Sequence, residues 1–169
     1  MVFFATRGLL GPSGTNAGDI DVGTEVILNE NGQPVNYLMV KIPYRKGAGY
    51  GKTVTSGSSG LSTKIFLLSS TEVNLVHGYE PTNEGACLSY FSGIAQNGAD
   101  NKRVAKLNGS ATRWWLRSPY CGANGGSARA LSVEGNGNWG NYDCSNTFGL
   151  RPALILPYEF KFASDQIAA

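Results

Sequence analysis

"RWWLRSP", residues 113–119, sets two tryptophans and a leucine between two arginines and closes on a proline. So much apolar bulk in an extended run suits a buried strand rather than an exposed loop. "LRPALILP", residues 150–157, has a similar plan: an apolar β run behind an arginine, stopped by Pro157. The two stretches are expected to be neighbouring core elements. Trp114, Trp115, Arg117 and Arg151 are read as structural, the tryptophans buried and the arginines ion-paired or bonded to backbone.

Between these brackets lies "EGNGNWGNYDCSN", residues 134–146, which fits the dinucleotide fingerprint G-x-G-x-x-G through Gly135, Gly137 and Gly140. That fingerprint needs a strand before it and a helix after it, because the helix N-terminus holds the pyrophosphate. "SARALSVE" suits the strand, but "NYDCSNTFG" has no helical apolar stripe. Another near-match, "KGAGYGKT", has Lys46 where a phosphate loop requires glycine. Neither is a nucleotide site.

The 169 residues make one domain with room for a core. Charged residues are 15% of the chain, below the usual quarter, and glycine, at 23 residues, is about twice its average share. This composition suits a loop-rich domain with many turns. A net charge of +2 without a basic run gives no footprint for nucleic acid. No apolar run reaches the length of a membrane span, and "MVFFATRGLL" lacks the basic region of a secretion signal. Three cysteines, an odd count, are expected as thiols rather than a disulfide framework. His77 is the single histidine, so neither a zinc site with Cys87, Cys121 and Cys144 nor any other metal or cofactor site is expected. "EPTN", residues 80–83, is read as a solvated loop rather than part of a calcium site with Asp143.

"GTEVILNENGQPVNYLMV" predicts a hairpin that turns at Asn31-Gly32 and returns over Val35 to Val40. Ile65 to Leu68 predicts a short buried strand running into Ser69-x-x-Glu72, a capping box that starts a brief helix. "EGACLSYFSG", residues 84–93, predicts a second short helix with Ala86, Tyr90 and Phe91 near one face. The fold class expected is α+β: loop-rich, with short helices around small antiparallel sheets. Residues 1–18 are expected as a poorly ordered segment, 19–158 as the domain and 159–169 as a frayed tail.

"SATRWWLRSPYC" and "NTFGLRPALILP", with "TKIFLLSSTEV" and "KIPYRKGAGYGKTVTSGSSGLS", resemble a bacterial and phage domain family with Trp-Trp-Leu-Arg-Ser-Pro and Gly-(Val/Leu/Ile)-Arg-Pro-Ala-Leu motifs. The resemblance covers about residues 35 to 157. One departure is that Val40 runs straight into Lys41-Ile42-Pro43, where the family carries a longer segment. The resemblance implies a C-type-lectin-like fold, related to formylglycine-generating enzymes and to the variable proteins of diversity-generating retroelements. In those systems mutagenesis at template adenines diversifies Asn codons into Asp, Ser, Gly, Ala, Tyr and Cys. Tyr120, Cys121, Ala123, Asn124, Ser127, Asn136, Asn138, Asn141, Tyr142 and Asp143 fit that set, and Trp139 fits an AAG codon.

The function expected is a non-enzymatic binding module that presents a tolerant, diversified surface over residues 120–146. Variable side chains belong on loops held by fixed strands. Tyr and Trp give contact area at low entropy cost, while Ser, Gly and Asn add adaptable hydrogen bonding. The partner expected is a protein or a glycan, and the setting a phage virion or a bacterial cell surface. From another class, the resemblance offers a copper-dependent oxidase using Cys121 and Cys144, although its relatives space their cysteine pair closely. A purely structural domain is the third reading.

Overall fold

The computed structural model describes residues 40–45, 54–122 and 129–155. Nine short strands run through them: β1 Val40–Ile42, β2 Leu61–Thr63, β3 Ile65–Leu67, β4 Ala105–Leu107, β5 Ser110–Thr112, β6 Trp114–Pro119, β7 Arg129–Val133, β8 Trp139–Asp143 and β9 Pro152–Leu154. All pairings between them are antiparallel, giving β1–β2, β3–β9 and β4–β5 ribbons and a three-stranded β6–β7–β8 sheet. The predicted hairpin before Val40 and the segments 1–18 and 159–169 lie outside the described residues.

The α+β, C-type-lectin-like expectation with short helices is corrected here. Among the described residues there is no α-helix, only single 3-10 turns at Gly57–Ser59, Ser89–Phe91 and Asn101–Arg103. The domain is β-rich.

The capping box at Ser69 does form. The Ser69 N–H donates to Glu72 Oε2 at 2.9 Å and the Glu72 N–H to Ser69 Oγ at 3.1 Å. The next three residues close the turn at once. The Asn74 N–H bonds the Thr71 carbonyl, the Leu75 N–H bonds that of Ser70, and Asn74 takes φ +56°. That pair of bonds around a left-handed residue is a Schellman-type stop, so start and stop signals sit one turn apart. In residues 84–93 the turn at Ser89–Phe91 ends at Ser92, which is already extended, and only Phe91 of it is buried. One anchor cannot hold a longer helix.

β6 explains the architecture. Trp114, Trp115 and Leu116 are all buried, so the strand has apolar neighbours on both faces. Trp114 and Leu116 join Leu68, Val73, Leu75, Phe91, Ala105, Leu131 and Val133 in the core. Trp115 instead stacks on Phe148 with ring centroids 4.6 Å apart. β6 pairs regularly with β7 at Trp114↔Val133 and Trp115↔Ser132, then slips before Pro119↔Ala130. Within that bulge the Arg117 N–H turns away to the Leu68 carbonyl at 3.0 Å. β6 also meets the chain that leads into β9. The Trp115 N–H bonds the Gly149 carbonyl, the Gly149 N–H bonds that of Arg113, and the Arg151 guanidinium lies 5.0 Å from the Trp114 ring.

The loops are held by a buried cation that sequence patterning does not reveal. Arg103 is fully buried and donates to the carbonyls of Gly137, Val73, Asn74, Ala95 and Gly98 at 2.8–3.4 Å. Its own carbonyl accepts from the Trp114 indole at 3.0 Å. One guanidinium thus satisfies backbone acceptors from three segments that have no ladder of their own.

Candidate functional site

The glycine- and asparagine-rich segment is a β-hairpin. β7 and β8 run in register from Arg129↔Asp143 to Val133↔Trp139, with the turn between Glu134 and Asn138. Side chains along a strand alternate, so the register assigns faces. Trp139, Asn141 and Asp143 share one face of β8, and Gly140 and Tyr142 lie on the other.

On the first face Trp139 stacks on His77, with centroids 4.1 Å apart and planes at 19°. Its indole N–H donates to Asn97 Oδ1 at 3.0 Å. Tyr79 lies 6.0 Å from the Trp139 ring and 5.3 Å from that of Tyr120, tilted by 44° and 38°. Trp139 and Tyr120 are half-buried against the core, while Tyr79 is 43% exposed. Further along the face, Arg129 donates to Asp143 Oδ1 at 3.2 Å and Asn141 Oδ1 at 3.1 Å.

The loop that carries Tyr79 is built tightly. Glu80 is buried, and its Oε2 accepts from the His77 N–H at 3.1 Å and the Gly78 N–H at 2.9 Å. This corrects the reading of residues 80–83 as a solvated loop in its first half: Glu80 and Pro81 are buried, with Glu80 Oε2 engaged in folding the turn, while Thr82 and Asn83 are exposed. The Tyr79 carbonyl accepts from the Cys121 N–H at 2.7 Å, which ties the loop to the end of β6.

A buried polar network anchors the far end of the same loop. Arg117 forms a two-pronged pair with Glu72, Nη1 to Oε2 at 2.6 Å and Nη2 to Oε1 at 2.7 Å. Glu72 is therefore more than a cap. Glu84 is 1% exposed, accepts a short hydrogen bond from the Ser118 hydroxyl, and lies 4.0 Å from Arg117 Nε. Burial pushes the Glu84 carboxyl up to about 7; the Ser118 hydroxyl and the Arg117 charge oppose this, and the Glu72 charge adds to it. Ser118 Oγ accepts in turn from the Ser70 N–H at 2.8 Å, so the network joins the capping turn, β6 and the loop.

The second face of the hairpin is a different cluster. The Arg113 guanidinium lies 4.9 Å from the Tyr142 ring and forms a short ion pair with Glu134. Tyr142 meets Phe148 edge-on at 5.0 Å. Partial burial and the Glu134 carboxylate push the Tyr142 hydroxyl up, so it stays protonated at neutral pH.

The expected surface set is therefore divided. Tyr120 and Trp139 gather around Tyr79 and His77, neither of which sequence reasoning placed in the site, while Asn141 and Asp143 lie farther along the Trp139 face of β8 and bond Arg129. Tyr142 sits on the opposite face. Asn136 and Asn138 occupy the turn, where Asn136 Oδ1 accepts from the Asn138 N–H and Asn138 Oδ1 from the Trp139 N–H. Cys121 is buried at the end of β6, so it offers a ligand almost no surface. Ala123, Asn124 and Ser127 lie outside the described residues. The sequence signal for Tyr79 is its position in "HGYEPTN", where a buried carboxylate folds a turn around one aromatic.

The family model for a domain of unknown function, DUF6273, matches residues 36–158. The chain belongs to that family. No curated protein matches it, and no solved structure does.

The donor set does not fit a two-thiolate copper centre. None of Cys87, Cys121 and Cys144 is in a disulfide, and Cys121 is buried while Cys144 is exposed. Partial burial of the Cys144 sulfur and the Asp143 charge push its thiol up, against the thiolate that a metal needs. Among the described residues no group of three or more His, Cys, Asp and Glu stands close enough to hold a metal ion.

Proposed function

We propose that the domain is a non-enzymatic binding module, and that it meets its ligand with the Tyr79, Tyr120 and Trp139 face of the β7–β8 hairpin. The observation that carries this is the exposed Tyr79 ring, set against two half-buried rings on a loop fixed at both ends. Aromatic rings held in this way lose little entropy on binding, and aromatic anchors dominate interface energies. Variation at Asn141 and Asp143 leaves the β7–β8 backbone pairing in place, so the surface can diversify without unfolding. The setting proposed is a phage tail tip or a bacterial surface protein of the diversity-generating type.

The test is adhesion of the labelled full chain to a panel of bacterial cells, with Tyr79→Ala and Tyr142→Ala compared. Loss of adhesion in Tyr79→Ala alone, with both variants folded, is expected. Loss in Tyr142→Ala alone would move the site to the opposite face. A reverse transcriptase gene and a near-repeat of the "RWWLRSP" coding region beside this gene would support the diversified setting, and invariance at Asn141 and Asp143 across sibling genomes would refute it.

A further inference from the structure

Three features narrow the chemistry of the ligand. The ring of Tyr79 is tilted by 38° to that of Tyr120 and by 44° to that of Trp139, so the three make a small faceted aromatic patch rather than a flat plate. An aromatic side chain buries about 150–250 Å², so three rings at less than half exposure offer on the order of 200–300 Å². A stable protein interface needs about 800 Å² on each partner. The patch is too small for that and suits a small ligand.

The second feature is charge. Arg129 is neutralised by Asp143, and its second arm is bonded to Asn141. The stripe from Trp139 to Asp143 spans about 13 Å at the usual rise of ~3.4 Å per residue, and carries donors and acceptors without net charge. An anionic or cationic ligand finds no excess counter-charge along it. A ligand with many two-way hydroxyls does find partners, since amide, guanidinium and carboxylate edges supply both donors and acceptors.

The third is the Trp139 indole. Its N–H is already bonded to Asn97 and one face is stacked on His77, so what the half-buried ring has left for a ligand is aromatic surface rather than a donor. The negative face of an aromatic ring attracts weakly positive C–H groups. A ring-shaped ligand with a C–H face and a rim of hydroxyls is a sugar.

We propose that this face binds a neutral oligosaccharide, with a sugar ring seated against Tyr79, Tyr120 and Trp139 and its hydroxyls bonded along Asn141 and Asp143. Recognition is by stacking and direct hydrogen bonds. Oε2 of the nearby Glu80 carboxylate is engaged by the His77 and Gly78 N–H groups, and among the described residues no group of three or more His, Cys, Asp and Glu stands together with it to hold a cation. This inference rests on the binding-module reading and gives its ligand a class.

The test titrates the full chain with cellobiose, maltose, lactose, diacetylchitobiose and longer members of each series, and with heparin as the anionic probe. Trp114 and Trp115 are buried, so Trp139 reports on the surface through its fluorescence, checked by ligand-observed NMR. Saturable binding of at least one neutral series is expected, unchanged by EDTA. Tyr79→Ala should weaken it at least tenfold with an unchanged melting temperature, and Tyr142→Ala should leave it intact. Absence of binding across the neutral series, binding of heparin alone, loss on adding EDTA, or full binding by Tyr79→Ala would each overturn the proposal. Cell adhesion separates the two levels. If it depends on Tyr79 and is removed by protease treatment of the cells but not by periodate, the sugar assignment falls and the binding module stands.

Discussion

Two carboxylates, Glu72 and Glu84, share one guanidinium, and the geometry decides which of them is paired. Arg117 gives both arms to Glu72 and keeps only a 4.0 Å approach to Glu84. Glu84 is 1% exposed and its proton is held up to about 7, against an ordinary value of 4.5. In the unfolded chain the carboxyl loses its proton near the ordinary value. Between about pH 4.5 and 7 the folded state therefore binds the extra proton, and stability falls as pH rises through that window. The difference of about 2.5 units corresponds to about 3–4 kcal/mol at ~1.4 kcal/mol per unit, with little solvent screening at so buried a site. Glu84→Gln removes the titration and keeps an oxygen to accept from Ser118.

The assay is urea denaturation of both proteins at half-unit steps from about pH 4 to 8.5. Titrations common to both cancel in the difference. The gap between variant and wild type should shift in favour of the variant by about 3–4 kcal/mol across the window and flatten above about pH 7. Parallel curves would refute the reasoning, because they would mean that Glu84 has the same proton affinity folded and unfolded.

Other substitutions test separate parts of the structure by thermal or urea melts. Gly137→Ala should cost more than about 1 kcal/mol, since Gly137 has φ +81° and a Cβ there would overlap the Asp100 backbone; Gly135→Ala, without either constraint, should change stability by less than about 0.5 kcal/mol. Arg103→Met should cost at least about 3 kcal/mol, because several buried carbonyls lose their charged donor together. Trp115→Ala should cost about 3–5 kcal/mol through the cavity left against Phe148, and an unchanged melting midpoint would contradict its burial.

The strands were the most legible part of the sequence: the apolar run Trp114–Leu116 states its burial in its composition, whereas Ile65–Leu67, expected as a buried strand, forms the strand but is only half-buried, with burial reached at Leu68. The helices were misread for a local reason. A capping box announces a start, and the stop that follows one turn later rests on Asn74, a residue that takes the left-handed conformation more readily than most but far less distinctively than glycine. The site was half legible. Trp139 and Tyr120 carried an aromatic signal inside a polar segment, whereas Tyr79 lies about 40 residues upstream of Tyr120 and joins the patch through tertiary contacts, its carbonyl to the Cys121 N–H and its ring to Tyr120 and Trp139. Arg103 was invisible, since its partners are main-chain carbonyls that any sequence supplies.

The asparagines and glycines of residues 134–146 suggested a surface free to vary throughout, and the hairpin gives a narrower account. Gly137 is required by its backbone angle and by the closeness of the Asp100 backbone, and Gly140 leaves room for the Glu134 and Tyr142 side chains, which a Cβ there would displace. Asn136 and Asn138 bond neighbouring N–H groups in the turn, a use of Asn that recurs wherever chains reverse. Four of the residues that make the segment look permissive are thus explained by local geometry. The β8 positions that share the Trp139 face, and that the proposed function would use for recognition, are Trp139, Asn141 and Asp143. Variation limited to that alternate set would leave the turn, the Arg103 clamp and the β7–β8 ladder untouched. A pattern of substitution every second residue along β8, with the turn constant, is the trace such a surface should leave.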